Sequence, residues 1–391
     1  MRVEVRESAP PASETASAPN TSLRAVMYGS GIGIFPPLMQ RVQKSFQIVA
    51  TLHPQMPRGY QWWFLLKSFR WRRNAWYVRW RYLLEKTPFA FRVRTRQSER
   101  LLQALRGQYD LILFSGAMYA PAASVDVPLF VFADFCRWLS SRNPHDPISH
   151  FQSAADEEQW LKAEGDVYRS AARIFVGSEF VGRALIEHYG VKPERVVVSG
   201  FGAGLGFGDP YEKSFDGRSI LYIGKGDFET KGGTLLLSAF ADVRREIPDA
   251  VLHVVGQKKL PSLPGVVNHG FVRDRRRIVA LMRSAHVFVL PSLVDRNPIS
   301  VLEAMAAATP CVTSDYAAIP ELVADSGLIV PCGDRRALAR AVIAVLRDRA
   351  LAARLGASGR RRYEERYNWD RVWEIIHREI TTVTRSREFA R

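Results

Sequence analysis

Lys225 and Lys231 bracket a turn that follows the apolar run at 220–223, with Gly224 before the first lysine and Gly232-Gly233 after the second. A helical pattern opens at that glycine pair. Two cations beside bare backbone, where a strand turns into a helix, can neutralise a diphosphate. The first helical N–H groups and the positive dipole end add to the lysine charge. A solvated loop with idle lysines has the same composition, so the turn alone leaves both readings open.

A second constellation lies at 286–306. An apolar run ends at Pro291-Ser292, Asp295 follows in the loop, and Glu303 comes eight residues later. Asn297 is a favoured N-cap and Pro298 a favoured first helical residue, which predicts a helix over 298–308. Two acids so placed can accept hydrogen bonds from the hydroxyls of a sugar and a ribose. Glu303 could instead be an ordinary surface acid. It is embedded, however, in the apolar sequence 299–306, where a carboxylate without a partner is costly. A polar ligand accounts for it better.

Such residues need a scaffold that gathers strand ends and helix starts. Short apolar runs at 23–28, 111–114, 129–132, 174–176 and 195–199 alternate with helical patterns at 157–171 and 179–189. A stretch at 200–217 with six glycines interrupts them. A second series then places strands at 219–223, 250–255, 286–290, 310–313 and 327–330. Its helices are expected at 233–246, 274–284 and 298–308, with a short one from Ile319 and more from Asp334 onward. This alternation marks doubly wound α/β sheets. At 391 residues the chain exceeds one ordinary core. The expected plan is a disordered lead-in at 1–21, an N-terminal Rossmann-like acceptor domain at 22–205, a linker at 206–217 and a C-terminal Rossmann-like domain at 218–370. A C-terminal helix at 371–391 is expected to pack back on the N-terminal domain. Sites of such sheets lie at the carboxyl ends of the strands, here in a central cleft that the two domains would face.

Composition narrows the class. With 47% hydrophobic and 24% charged residues the chain is neither fibrous nor disordered. No apolar run reaches the roughly 18–20 residues of a spanning helix, and the Ala/Pro/Ser-rich lead-in has no signal-peptide core. Cys136, Cys311 and Cys332 lie far apart without metal-ligand spacing, which suits a reducing cytoplasm and argues against disulfides and a zinc site.

Taken together, Gly224-Lys225, Lys231-Gly232-Gly233, the 286–306 constellation, Ile319-Pro320-Glu321 and the 327–331 sequence Gly-Leu-Ile-Val-Pro resemble the family-4 retaining glycosyltransferases of GT-B fold. The resemblance runs from about 219 to 346 and continues more weakly upstream, in 127–134, 171–178 and 196–204. It implies a transferase that uses a nucleotide-diphosphate sugar and no metal. Lys225 and Lys231 would hold the donor diphosphate, Asp295 the donor sugar and Glu303 the ribose. The amides of Ile299 and Ser300 would face the phosphates or sugar. The turn Gly270-Phe271-Val272 would line the base pocket, and Gly31 and Gly33 would close on the donor. Four positions depart from the pattern. Asp295 replaces a glutamate, Gly204 an asparagine, and Ala317 and Ala318 stand where paired glycines are usual.

The resemblance also implies retention of anomeric configuration, so the acceptor would enter on the face that the nucleotide leaves. Charge developing on the diphosphate would be met by Lys225 and Lys231, the largest expected catalytic effect. Asp134, after the run at 127–133, is the side-chain candidate for a general base. Helix capping or an ion pair with Arg137 is its alternative, and the leaving phosphate could take the acceptor proton instead.

The net charge of +16 is concentrated in one segment. Residues 58–106 hold 13 Lys/Arg against two acids, Glu85 and Glu99, and five of the nine tryptophans. Three readings stand: an anionic membrane surface, which would suit a lipid-linked acceptor and a peripheral place on the cytoplasmic face; single-stranded nucleic acid, which would leave the nucleotide-sugar motifs idle; and a helix pair whose tryptophans are core and whose arginines face water. A non-catalytic glycosyltransferase-like partner subunit and a GT-B-fold sugar-nucleotide epimerase are the alternatives to a glycan- or lipid-directed transferase.

Overall fold

The computed structural model describes residues 23–29, 36–71, 73–208, 213–224 and 226–388. Their contacts divide the chain into two compact units. One comprises Met1–Phe132, Ala155–Ile174 and Ile380–Arg391; the other comprises Ala133–Ala154 and Phe175–Glu379.

The strands of the first half are β1 (Arg24–Tyr28), β2 (Gln47–Leu52), β3 (Leu111–Ser115), β4 (Leu129–Ala133), β5 (Arg173–Val176) and β6 (Val196–Val198). They form a six-stranded sheet in the order β2-β1-β3-β4-β5-β6. Its helices are α1 (Pro36–Ser45), α2 (Arg58–Lys67), α3 (Arg73–Glu85), α4 (Pro88–Gln103), α5 (Arg137–Ser141), α6 (Ala154–Ser170) and α7 (Glu179–Tyr189). Strands β3 and β4 are buried along almost their whole length, as fully covered parallel strands must be, which is why they read as unbroken apolar runs.

The second series is β7 (Ser219–Ile223), α8 (Gly233–Glu246), β8 (Val251–Val255), β9 (Val266–Asn268), α9 (Arg275–Ser284), β10 (Val287–Leu290) and α10 (Ile299–Ala306). It continues with β11 (Cys311–Ser314), α11 (Ile319–Val323), β12 (Gly327–Val330), α12 (Arg335–Arg347), α13 (Arg349–Arg362) and α14 (Trp369–Glu388). The sheet runs β12-β11-β10-β7-β8-β9 and is parallel throughout. Its order reverses between β7 and β10. In open α/β sheets that switch point is where ligands bind, beyond the carboxyl ends of the strands.

The sequence reading missed α1, β2, α4, α5 and β9. β2 and β9 lie at sheet edges and are only partly buried, so their apolar pattern is diluted. The expected boundary near 205 also differs from the observed division, because 133–154 and 175–205 join the second unit. Local bonds explain the grouping. Asn143 Nδ2 donates to Leu293 O at 3.0 Å, and the amides of Glu179 and Phe180 donate to the Glu321 carboxylate at 2.7 and 3.0 Å. Trp369 Nε1 donates to Ala203 O at 2.8 Å, fixing the chain near the start of the glycine-rich stretch.

In the first unit the basic segment is not one continuous helix. It comprises α2, α3 and α4, and α2 and α3 pack together. Trp76 Nε1 donates to Leu65 O at 2.9 Å and Trp80 Nε1 to Gln61 O at 3.2 Å. Trp80 and Leu83 also cover the small core of Met56, Phe64 and Ala90. Those two tryptophans are structural. Trp62, Trp63 and Trp71 face solvent, Trp71 almost completely.

Candidate functional site

The loop after β7 is described from Gly226 onward; Lys225 lies outside the described residues, as do Gly31 and Gly33. Residues 227–232 form a tight turn in which Gly232 has φ +74°. A Cβ there would lie 1.9 Å from the carbonyl oxygen of Pro291, so the position requires glycine for both its conformation and its space. This close approach brings the turn against the loop after β10. The amides of Leu293 and Val294 both donate to Thr230 O, at 2.8 and 3.0 Å. Two loops far apart in sequence thus become one surface at the switch point.

Lys231 and Asp295 meet on that surface. Lys231 Nζ is 2.7 Å from Asp295 Oδ2, and the aspartate side chain is only 9% exposed. A carboxylate so enclosed needs its cation, and the lysine fixes its direction. Ser292 Oγ lies 3.5 Å from the same oxygen, and Ser292 O in turn accepts from Ser314 Oγ at 2.6 Å. The shorter Asp295 side chain therefore reaches Lys231 directly.

The helix start differs from expectation. Helix α10 begins at Ile299, Pro298 is its N-cap residue, and no side chain caps it. Asn297 serves through its backbone instead, accepting from the Ile299 amide at 2.9 Å. The Ile299 N–H is thus engaged by its own chain. The Ser300 N–H has no acceptor among the described residues. The proline ring, which fixes φ but lacks a side-chain acceptor, displaces the capping role by one residue.

Glu303 sits on the first turns of α10, with its carboxyl pushed up to about 7 by burial; Arg275 and the Gly204 backbone oppose that rise. Arg275 also donates to Gly204 O. A Cβ at Gly204 would stand 3.1 Å from Glu303 Oε1, tighter than ordinary contact. The glycine at this departure from the family pattern keeps a side chain off the carboxylate. Beside it lies an open groove of about 490 Å³ lined by 204–208 with Arg275, Arg276 and Arg283. Val272 is half-buried against the core of this unit, Phe271 is exposed, and their turn is tied to the end of β8 by Gly256 N–H donating to Gly270 O at 2.8 Å.

Asp134 follows β4 and borders a small cavity with Ser178, Arg296, Asn297 and Pro298. Burial pushes its carboxyl above the usual range; Arg296 and nearby backbone amides pull it back. The charge that reaches it is Arg296, not the Arg137 considered from sequence, whose guanidinium lies 4.7 Å from the Phe151 ring centre. Arg296 also pairs with Asp146 at 3.1 Å and donates to Ser149 Oγ at 3.2 Å.

Sequence reasoning missed Asn143, Asp146, Arg275 and Arg296. Arg296 adjoins Asp295, a usable signal. Arg275 begins a run of three arginines that reads as a solvated helix start, and Asn143 and Asp146 sit in a loop with no pattern. Ala317 has φ +50°, a left-handed conformation that costs a residue with a Cβ about 1–2 kcal/mol. Glycine would adopt it freely. Ala318 has ordinary helical angles. Among the described residues no three His, Cys, Asp or Glu side chains cluster as a metal site, and the three cysteines are free.

Two six-stranded sheets covered by helices make the fold GT-B. Residues 217–348 match the Glycosyl transferases group 1 family and form a domain of that family. The chain is 37% identical over 181 residues to a phosphatidyl-myo-inositol mannosyltransferase of Mycobacterium leprae, covering 44% of this chain and 48% of that protein. The chain spans about half the length of the curated relatives it matches first. Sucrose-phosphate synthase from Thermosynechococcus elongatus shares the fold, with a TM-score of 0.66 at 17% identity, covering 94% of this chain and all of that one. A UDP-forming α,α-trehalose-phosphate synthase from Burkholderia xenovorans gives a TM-score of 0.65 at 14% identity, covering 92% and 99%.

Proposed function

We propose that this chain is a retaining, metal-independent glycosyltransferase that moves a hexose from a nucleotide-diphosphate sugar to a glycan or lipid-linked acceptor. The observation that carries the reading is the joined surface at the switch point of the second sheet, where the Lys231 turn is hydrogen-bonded to the Asp295 loop. The M. leprae relative supports a sugar transferred to a lipid-linked acceptor, and the trehalose-phosphate synthase neighbour supports a uridine nucleotide among the donors to test. A cytoplasmic place on the inner membrane face belongs to the same proposal.

In this reading Lys225 and Lys231 meet the diphosphate. The Ser300 amide and the start of α10 add partial positive charge. Asp295, held by Lys231, accepts from the sugar; Glu303 accepts from the ribose; the 270–272 turn borders the base. The bond between the anomeric carbon and the diphosphate oxygen breaks as the acceptor oxygen bonds to the same face. The acceptor proton passes to Asp134 or to the leaving phosphate. Fixed cations stabilise the charge that builds on the departing diphosphate, and their positions need no reorganisation during the step.

The test is a thermal-shift screen against UDP-, GDP- and ADP-sugars, followed by analysis of the product. A rise in melting temperature with one donor class and an α-linked product from an α-linked donor is the expected result. No shift with any donor would sink the donor-site assignment. An epimerised sugar nucleotide, or binding without turnover, would replace the transferase reading by the epimerase or partner-subunit reading.

A further inference from the structure

The first unit carries an open groove of about 700 Å³, within the roughly 300–1,000 Å³ of pockets that hold organic ligands. Tyr60, Trp63 and Phe64 of α2, Leu83 of α3 and Phe89 of α4 line it. Its floor is built of ring contacts: Tyr60 meets Phe89 edge-on at 5.2 Å, and Phe64 meets Phe89 at 5.9 Å. Among the described lining residues one is a cation. Lys67, exposed at the end of α2, holds its ammonium 4.7 Å above the Trp63 ring.

Helix α2 and the residues just after it expose Trp62, Leu66, Phe69 and Trp71, at 66%, 75%, 51% and 95%. Apolar patches of this kind are uncommon on a soluble surface unless something covers them. The neighbouring charge is strongly positive: 13 Lys/Arg against two acids over 58–106, and Arg81 already occupies Glu85 at 2.7 Å. Exposed tryptophans beside lysine and arginine match the boundary between anionic headgroups and acyl chains. The lining of the groove is mostly apolar around Lys67, and this fits an acyl chain and a single headgroup phosphate better than a strand of successive phosphates.

We propose that this groove is a binding site for an anionic phospholipid, with one acyl chain between Tyr60, Trp63, Phe64 and Phe89, its phosphate on Lys67, and the exposed tip at Phe69 and Trp71 in the surrounding bilayer. All the residues named lie in the first unit, so the inference stands or falls independently of the donor site.

The experiment uses the full chain with vesicles of phosphatidylcholine, with or without phosphatidylglycerol, and with lipids brominated along the acyl chain to quench tryptophan. The chain should sediment with phosphatidylglycerol vesicles only, and less at high salt. Brominated chains should quench a component that disappears in Trp63→Ala. Lys67→Glu should weaken vesicle binding about tenfold or more, since each interfacial cation contributes roughly fivefold and the change reverses the charge. Trp63→Ala, also at an exposed position, should weaken it severalfold through lost apolar contact. Their melting temperatures and nucleotide-sugar shifts should stay at wild-type values. Trp63→Phe should restore binding. Equal binding to neutral vesicles, no binding, or quenching unchanged in Trp63→Ala would each overturn the proposal. Displacement of the chain from vesicles by a single-stranded RNA homopolymer would do the same, reassigning the surface to nucleic acid.

Discussion

Replacing Glu303 by glutamine should stabilise the ligand-free chain above neutral pH while weakening its hold on a nucleotide sugar. Burial raises the Glu303 carboxyl from 4.5 to about 7. That shift corresponds to about 3 kcal/mol, at roughly 1.4 kcal/mol per unit. The sign follows from proton binding. Between pH 4.5 and 7 the folded chain holds a proton that the unfolded chain has released, so stability falls as pH rises through this window. The cost is absent below pH 4.5 and fully present above pH 7. Glutamine keeps the shape and cannot ionise, so Glu303→Gln should match the wild type at low pH and exceed it by up to about 3 kcal/mol at pH 8. For a unit of this size that is roughly 5–10 °C in melting temperature. Urea and thermal unfolding at several pH values would measure it, with the donor-induced shift read alongside. A gap that stays constant with pH, or a variant less stable at pH 8, would refute the argument that an ionised Glu303 is held at a cost. Physically, the carboxylate would be kept because the hydroxyl it accepts from is absent until the donor binds.

Lys231→Ala should strand the enclosed Asp295 carboxylate and cost about 3–5 kcal/mol in denaturant unfolding, with much of the loss recovered when Asp295→Ala is added. A full loss in the double variant would place the lysine's role elsewhere. Asp134→Asn should leave the nucleotide-sugar thermal shift intact and lower kcat. In the wild type, initial rates should fall toward acid pH through a group titrating above the usual carboxylate range, and that limb should vanish in the variant. Unchanged rates would assign the proton to the leaving phosphate.

Much of the fold was legible because its strands are buried on both faces and its helices carry standard stops. Helices α7 and α8 occupy the expected spans; Ser178 caps α7 by accepting from the Val181 amide, and Gly190 ends it in a left-handed turn. The glycines of the Lys231 turn were visible as a motif, and the clash a side chain would make at Gly232 supplies their physical reason. The helix start after Asn297 was placed one residue early, because Pro298 could fill the first helical position or the cap, and sequence does not separate the two.

Only the tertiary structure could pair Lys231 with Asp295, since 64 positions separate them in the chain and their loops meet across a sheet whose strand order reverses there. The tryptophans of the basic segment teach the same lesson. Composition put five aromatics and 13 cations in one stretch and left three readings open. The packing of α2 on α3 turned Trp76 and Trp80 inward onto backbone carbonyls and left Trp62, Trp63 and Trp71 to solvent. The lysines, acids and glycines at the strand ends determined the kind of chemistry, because side-chain type and local turn geometry are written residue by residue. Which of them touch was decided by long-range contacts, because burial and direction depend on neighbours that the local sequence does not contain.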